Sequence, residues 1–321
     1  MVNGMGRFTL GRGGRGSVVG VYLGLAVMAL LWGLVFVAIK IGGSEMPIEV
    51  FNADRFFLGA STLALLTWKA GRWERVDVRT ALELTTLGLV GHGAMQIAFV
   101  TGIMRTTSSI AALIYGCTPL IVALFSAVLG LERLSRLKWA GLLMAVMGVA
   151  AVVMGREGST GGGSSFSGVL RVGIATVLMA VYTVWSRRLL ERLDLMFVMS
   201  WVLAAGGIAV ILWSLPHQTL ATYRKISLKG WAAILYGAFL ALVVPNLLYL
   251  RGVREIGRSG TAAFVNAVPL IGCLAGWAIL GEALRPVQAV GALLILSGIY
   301  LAQLGALRIG TFPGFSSTKG S

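Results

Sequence analysis

His92 and Gln96 stand four residues apart in an otherwise apolar stretch, with Phe99 close to one turn further on, so a helix would carry all three on one face. Such a stripe can hydrogen-bond and stack on a small molecule. It is expensive against lipid, so it should face a protein interior or a water-filled cavity, and the plainer alternative is a hydrogen bond to a neighbouring helix. Asn246 offers the same amide chemistry directly after Pro245. A proline inside a helix frees a backbone carbonyl that either takes a ligand or marks a kink filled by its neighbours. Tyr115 and Asn266 lie one turn or less before Pro119 and Pro269, and these two prolines read as kinks or hinge points. Trp32, Tyr182 and Trp185 lie within apolar stretches rather than at the ends, where interfacial aromatics collect; they would enclose a planar ligand or simply pack helices, and Tyr249 is a further cavity candidate. All of this is binding chemistry. Catalysis or metal ligation needs clustered His, Cys, Asp or Glu, and the chain has only two histidines and two cysteines, with no such grouping. Cys117 and Cys273 read as small core residues, and no cofactor or metal is expected.

The elements that must position these residues follow from composition. The chain has 321 residues, 57% hydrophobic and 12% charged, against roughly 25% charged in a soluble domain. Its apolar residues fall in blocks of about twenty, the length at which a helix crosses a hydrocarbon core roughly 30 Å thick. The blocks run over 18–39, 50–68, 82–103, 108–130, 136–154, 168–187, 195–215, 230–250, 260–281 and 286–306. They predict an all-α integral membrane protein with ten transmembrane helices. Block 18–39 has full spanning length and reads as a signal anchor rather than a cleavable leader. Residues 1–17 are Gly- and Arg-rich and 307–321 Gly-, Ser- and Thr-rich, so both read as flexible ends; a Gly/Ser-rich linker over 155–167 sits near the midpoint.

The net charge of +15 does not indicate nucleic-acid binding, because Lys and Arg occupy the short joints between blocks rather than one basic stripe. With the N-terminus inside, 18 Lys and Arg residues fall on the cytoplasmic side and eight on the other; Arg55, within a span, completes the 27. The expectation is a multi-pass protein of the inner membrane with both termini cytoplasmic, the 216–229 joint alone arguing against it.

A gapless shift of 150 residues superposes the chain on itself: Pro119 on Pro269, Glu132 on Glu282, Gly141 on Gly291, Gly148 on Gly298, Gln96 on Asn246, Phe99 on Tyr249 and Trp32 on Tyr182. Two five-helix repeats, 18–154 and 168–306, follow. An odd number of spans inverts the second copy, an arrangement typical of secondary transporters.

Trp32-Gly33 with Phe36 to Lys40, Arg55-Phe56, and the run from Pro119 through Glu132 to Gly141 and Gly148 with its copy from Pro269 through Glu282 to Gly291 and Gly298 resemble the EamA-type members of the drug/metabolite transporter superfamily. The resemblance covers nearly all of 18–306. It extends to ten-helix bacterial exporters of the YddG type, which would make the cargo an aromatic or other bulky amino acid, although no motif separates these from other EamA-type metabolite exporters. It implies a central cavity enclosed by the first, third, fourth, sixth, eighth and ninth helices, with the fifth and tenth at the periphery.

Asp54 and Arg55 are neighbours on one helix and cannot pair with each other, so each needs another partner. Arg55 and Glu282 are candidates for an ion pair gating the outer side; the alternative for Glu132 and Glu282 is a helix-end contact with the next loop. No acid lies at the centre of the first helix, which disfavours a proton-coupled multidrug or cation exporter, though Asp54 leaves that alternative open. The expected partners are a small-molecule substrate and the lipid bilayer, with the chain a monomer or weak homodimer.

Overall fold

The computed structural model describes residues 15–131, 134–154, 165–283 and 285–309, and every regular element among them is helical. The Gly/Ser-rich stretch at the midpoint, Glu132, and the chain ends fall wholly or mainly outside those residues. Ten rods follow in order: α1 Arg15–Glu45, α2 Ile48–Lys69, α3 Val78–Met104, α4 Ser108–Val128, α5 Arg136–Met154, α6 Phe166–Leu190, α7 Leu195–His217, α8 Leu228–Gly257, α9 Ala263–Leu280 and α10 Pro286–Ile309. Among the described residues nine are long and apolar enough to cross a membrane. The exception is α2, whose 22 residues include Glu49, Asp54, Arg55 and Lys69. Lys40, expected in an outer joint, lies inside α1, which runs on to Glu45.

Local chemistry sets the ends. Thr107, Ser165, Asp194 and Ser227 accept backbone N–H bonds at the starts of α4, α6, α7 and α8, where a helix has donors without intrahelical partners. Gly281, with φ of 67°, ends α9 in the left-handed conformation that glycine adopts without penalty.

Neither proline-bearing rod of the predicted pair is straight. α4 breaks at Cys117 between Ser108–Gly116 and Thr118–Val128, and α9 breaks at Asn266–Ala267, each time with the proline (Pro119, Pro269) in the first turn of the segment that follows. Pro245 marks no such break, because the i→i+5 segment Tyr236–Val243 ends just before it and takes up the altered hydrogen-bond register. The non-helical backbone in this rod is instead at Gly257, with φ of 80°. A second i→i+5 segment, Leu89–Ala94, lies in α3 and contains His92.

Packing pairs the rods across the chain midpoint: α5 on α10, α2 on α7, α4 on α9, α1 on α8 and α9, α6 on α3 and α4. The α5–α10 crossing is the closest. A Cβ at Gly148 would lie 2.6 Å from the carbonyl oxygen of Gly291, and one at Gly291 would lie 2.6 Å from that of Gly148. Gly141 and Gly298 face each other in the same way. Four glycines thus let two backbones touch where lipid supplies no hydrophobic drive.

Candidate functional site

The i→i+5 segments of α3 and α8 sit beside the two aromatic residues that the internal shift pairs. Trp32 on α1 donates its indole N–H to the carbonyl of Ala241 at 3.1 Å. Ala241 lies in the i→i+5 segment that ends just before Pro245, a residue with no N–H of its own. A backbone carbonyl beside the proline is therefore taken by a protein group. On the other side the ring of Tyr182 on α6 lies directly against Gly91 of α3, where a Cβ would enter the ring. Replacing Trp32 by Phe keeps the ring and removes the donor, so Trp32→Phe should lower stability by about 1 kcal/mol. Thermal unfolding in detergent reads this, with Trp185→Phe unchanged as the comparison.

Aromatic rings join the two sides. Trp32 tilts against Tyr249 with centroids 5.9 Å apart, and Phe99 packs on Tyr115 at 4.6 Å and edge-on to Phe36 at 5.5 Å. His92 meets Tyr182 edge-on at 5.0 Å, and its Nδ1 is enclosed without a hydrogen-bond partner. Quadrupoles favour these tilted and edge-to-face arrangements.

Gln96 supplies the polar centre. Its Oε1 accepts Nη2 of Arg55 at 2.6 Å, and Nε of Arg55 donates to Oδ1 of Asn52 at 2.8 Å. Arg55 is only 2% exposed, with its guanidinium carbon 5.7 Å from the centroid of Phe51 and 5.5 Å from that of Phe56. Asn52 was not among the residues expected here. The signal for it is its position three residues before Arg55, one helical turn away.

Several expected residues stand elsewhere. Trp185 is 41% exposed and makes no ring contact with the cluster. Asn246 donates to the carbonyl of Leu242 in its own helix rather than reaching Gln96 or Arg55. Asn266 occupies the turn that breaks α9.

Arg55 and Glu282 do not pair. Arg55 is held by two amides, while Glu282 reaches the start of α4, where Oε1 accepts the N–H of Ser108 at 2.8 Å and Oε2 accepts the N–H and hydroxyl of Ser109 at 3.0 and 3.1 Å. A carboxylate against free helix-start donors is favourable in its own right, and it takes Glu282 away from the guanidinium. Asp54 also turns from the cluster, accepting the Tyr223 hydroxyl at 2.9 Å. Burial first, and then this bond, pushes the Tyr223 hydroxyl up to about 12, so it stays a donor at neutral pH.

The sequence model of the EamA-like transporter family matches the chain twice, over residues 19–154 and 166–304. A Bacillus subtilis (strain 168) protein with the name uncharacterized transporter YyaM is 26% identical over 90% of this chain and 95% of its own length. A probable amino-acid metabolite efflux pump of Salmonella typhimurium (strain LT2) is 26% identical over 88% of this chain and 94% of its own. A crystal structure 22% identical in sequence superposes with a TM-score of 0.62 over 91% of this chain and 99% of the other, a likeness of fold. With the apolar rods, the buried polar and aromatic cluster and this double match together, the chain belongs to the EamA-like transporter family of the drug/metabolite transporter superfamily and is a multi-pass membrane transporter, not an enzyme.

Proposed function

We propose that the chain exports a small metabolite, best matched by an amino acid with an aromatic or other bulky side chain, by alternating access around the cluster of Trp32, His92, Gln96, Phe99, Tyr115, Tyr182 and Tyr249. The observation that carries this reading is a set of buried and half-buried aromatic contacts with amide and imidazole groups among them and the Arg55 guanidinium bonded to Gln96, contributed by helices of both halves. Aromatic faces suit an apolar ring, and the polar groups suit the charged end of an amino acid.

The cycle we propose uses α1 to α10 as ten spans in two inverted five-helix copies. Its support is reciprocity. Trp32 on Ala241 has its counterpart, 150 residues along, in Tyr182 on Gly91, and Gly148 on Gly291 has its counterpart in Gly298 on Gly141. The i→i+5 segments of α3 and α8 overlap under the same shift, and the family match falls into two stretches. We place the protein in the inner membrane with both termini cytoplasmic, on the excess of Lys and Arg in the joints of that side.

A cationic drug as cargo is disfavoured by Arg55, since two like charges 4 Å apart repel by about 4 kcal/mol at an effective dielectric constant near 20. Purified protein in liposomes loaded with unlabelled phenylalanine should exchange it for labelled phenylalanine in a saturable manner. Exchange no faster than in empty liposomes would remove this reading.

A further inference from the structure

Arg55 brings a positive charge into the interior with no carboxylate within 4 Å among the described residues. A guanidinium has five N–H donors, of which Nε gives one to Asn52 and Nη2 one to Gln96, while Nη1 makes no hydrogen bond among the described residues. Asn52 is 0% exposed, its oxygen is occupied by Arg55, and its Nδ2 has no partner among the described residues. The corner between α2, α3 and α8 thus holds a buried surplus of donors beside a cation, and neither unpartnered buried acceptor atom among the described residues, Asp54 Oδ2 or His92 Nδ1, is hydrogen-bonded to them. Buried donors are nearly always satisfied, so an acceptor from outside the chain is the natural complement. It should be anionic, to balance the charge, and planar with two oxygens, to fit the free edge of the guanidinium. On the other side of the corner is Gly237, whose hydrogen leaves the helix backbone close to Arg55; a Cβ there would lie 3.1 Å from Cδ of Arg55. Phe99, buried in the ring cluster with Phe36 and Tyr115, follows Gln96 by three residues, so apolar faces begin where the donors end.

We propose that Arg55 and Asn52 form a carboxylate subsite of the transport pathway, so that the cargo is recognised by a free carboxylate at one end and by aromatic faces at the other. This rests on the exporter reading and narrows it, because decarboxylated amines, amides and esters of the same side chain lack the recognised group. The competing role is a strut, in which Arg55 merely ties α2 to α3 through Gln96.

Asn52→Asp separates the two. It sets a carboxylate beside Arg55, strengthening a strut while occupying the subsite. Liposome exchange is measured with labelled phenylalanine and labelled phenylalaninamide, together with thermal unfolding of each variant. The wild type should exchange the acid at least about tenfold faster than the amide, since loss of a charge-assisted bidentate pair is worth at least that factor. Asn52→Asp should lose the acid exchange by a similar factor with an unfolding temperature equal to or above the wild type's. Arg55→Gln should exchange acid and amide alike. Equal wild-type exchange of acid and amide overturns the carboxylate subsite alone, and exchange of neither overturns the exporter reading with it. Asn52→Asp retaining full acid exchange assigns Arg55 to the strut. The wild-type comparison needs no variant, so it stands even where a substitution prevents folding.

Discussion

Gly148→Val is expected to destabilise the protein by about 3 kcal/mol, at the upper end for a side chain forced into a packed interface. The atoms it meets are the carbonyl oxygen of Gly291 at 2.6 Å and the side chain and backbone N of Ile295 at 2.7 and 2.9 Å. Two of these are helix backbone, which cannot turn aside as a flexible side chain can. Gly291→Val should do the same from the other helix. The double substitution should cost less than the sum of the two, because both break one contact. Gly173→Ala, where a Cβ meets nothing within 4 Å, should be neutral. Thermal unfolding and size-exclusion profiles in detergent measure all four. A Gly148→Val protein that unfolds with the wild type would mean that α5 and α10 do not touch here.

Glu282→Ala should cost a comparable amount, about 3 kcal/mol. It strips the acceptor from the backbone N–H groups of Ser108 and Ser109 and from the Ser109 hydroxyl. A partly buried donor left unsatisfied costs roughly 1–3 kcal/mol. Glu282→Gln keeps one acceptor oxygen and should lose about half as much. Hydrogen exchange at the amides of Ser108 and Ser109 locates the effect. A cycle with Arg55→Ala tests the separation of the two groups: if Arg55 and Glu282 act on different partners, their effects add to within about 0.5 kcal/mol. A large coupling would restore the ion pair.

The rods were legible because lipid leaves a helix no partner for its backbone except itself, so length and apolarity alone locate it. Even so, α2 was marked by its apolar second half, from Phe56 to Trp68, while the residues that matter most in it, Asn52 and Arg55, lie in the polar first half. The glycines of α5 and α10 were visible as a repeated spacing of seven, whereas their pairing, 148 with 291 and 141 with 298, required the two rods to run antiparallel. Partners of charged groups were the least legible. Glu282 could satisfy a guanidinium or the start of a helix, and the sequence does not say which donor lies closer. The i→i+5 segments have no residue signature, so the rotation they impose on α3 and α8 could not be anticipated. Trp185 shows how fine the margin is. Three residues from Tyr182, it shares a nominal face, yet the remaining 60° of helical rotation leaves it exposed.

The polar first half of α2 also bears on how the protein is made. A segment holding Asp54 and Arg55 is a poor client for the insertion machinery, since each such residue near a helix centre opposes entry into lipid by roughly 2.5–3.5 kcal/mol. In the ten-span arrangement proposed above, α2 must enter as the second arm of a hairpin with α1, joined by only Met46 and Pro47. Gln96 and the α8 backbone that surround Arg55 are synthesised later, so the guanidinium leaves the ribosome before its shelter exists. Biogenesis is then ordered in time, with the first hairpin held until the third rod supplies the amide that receives it.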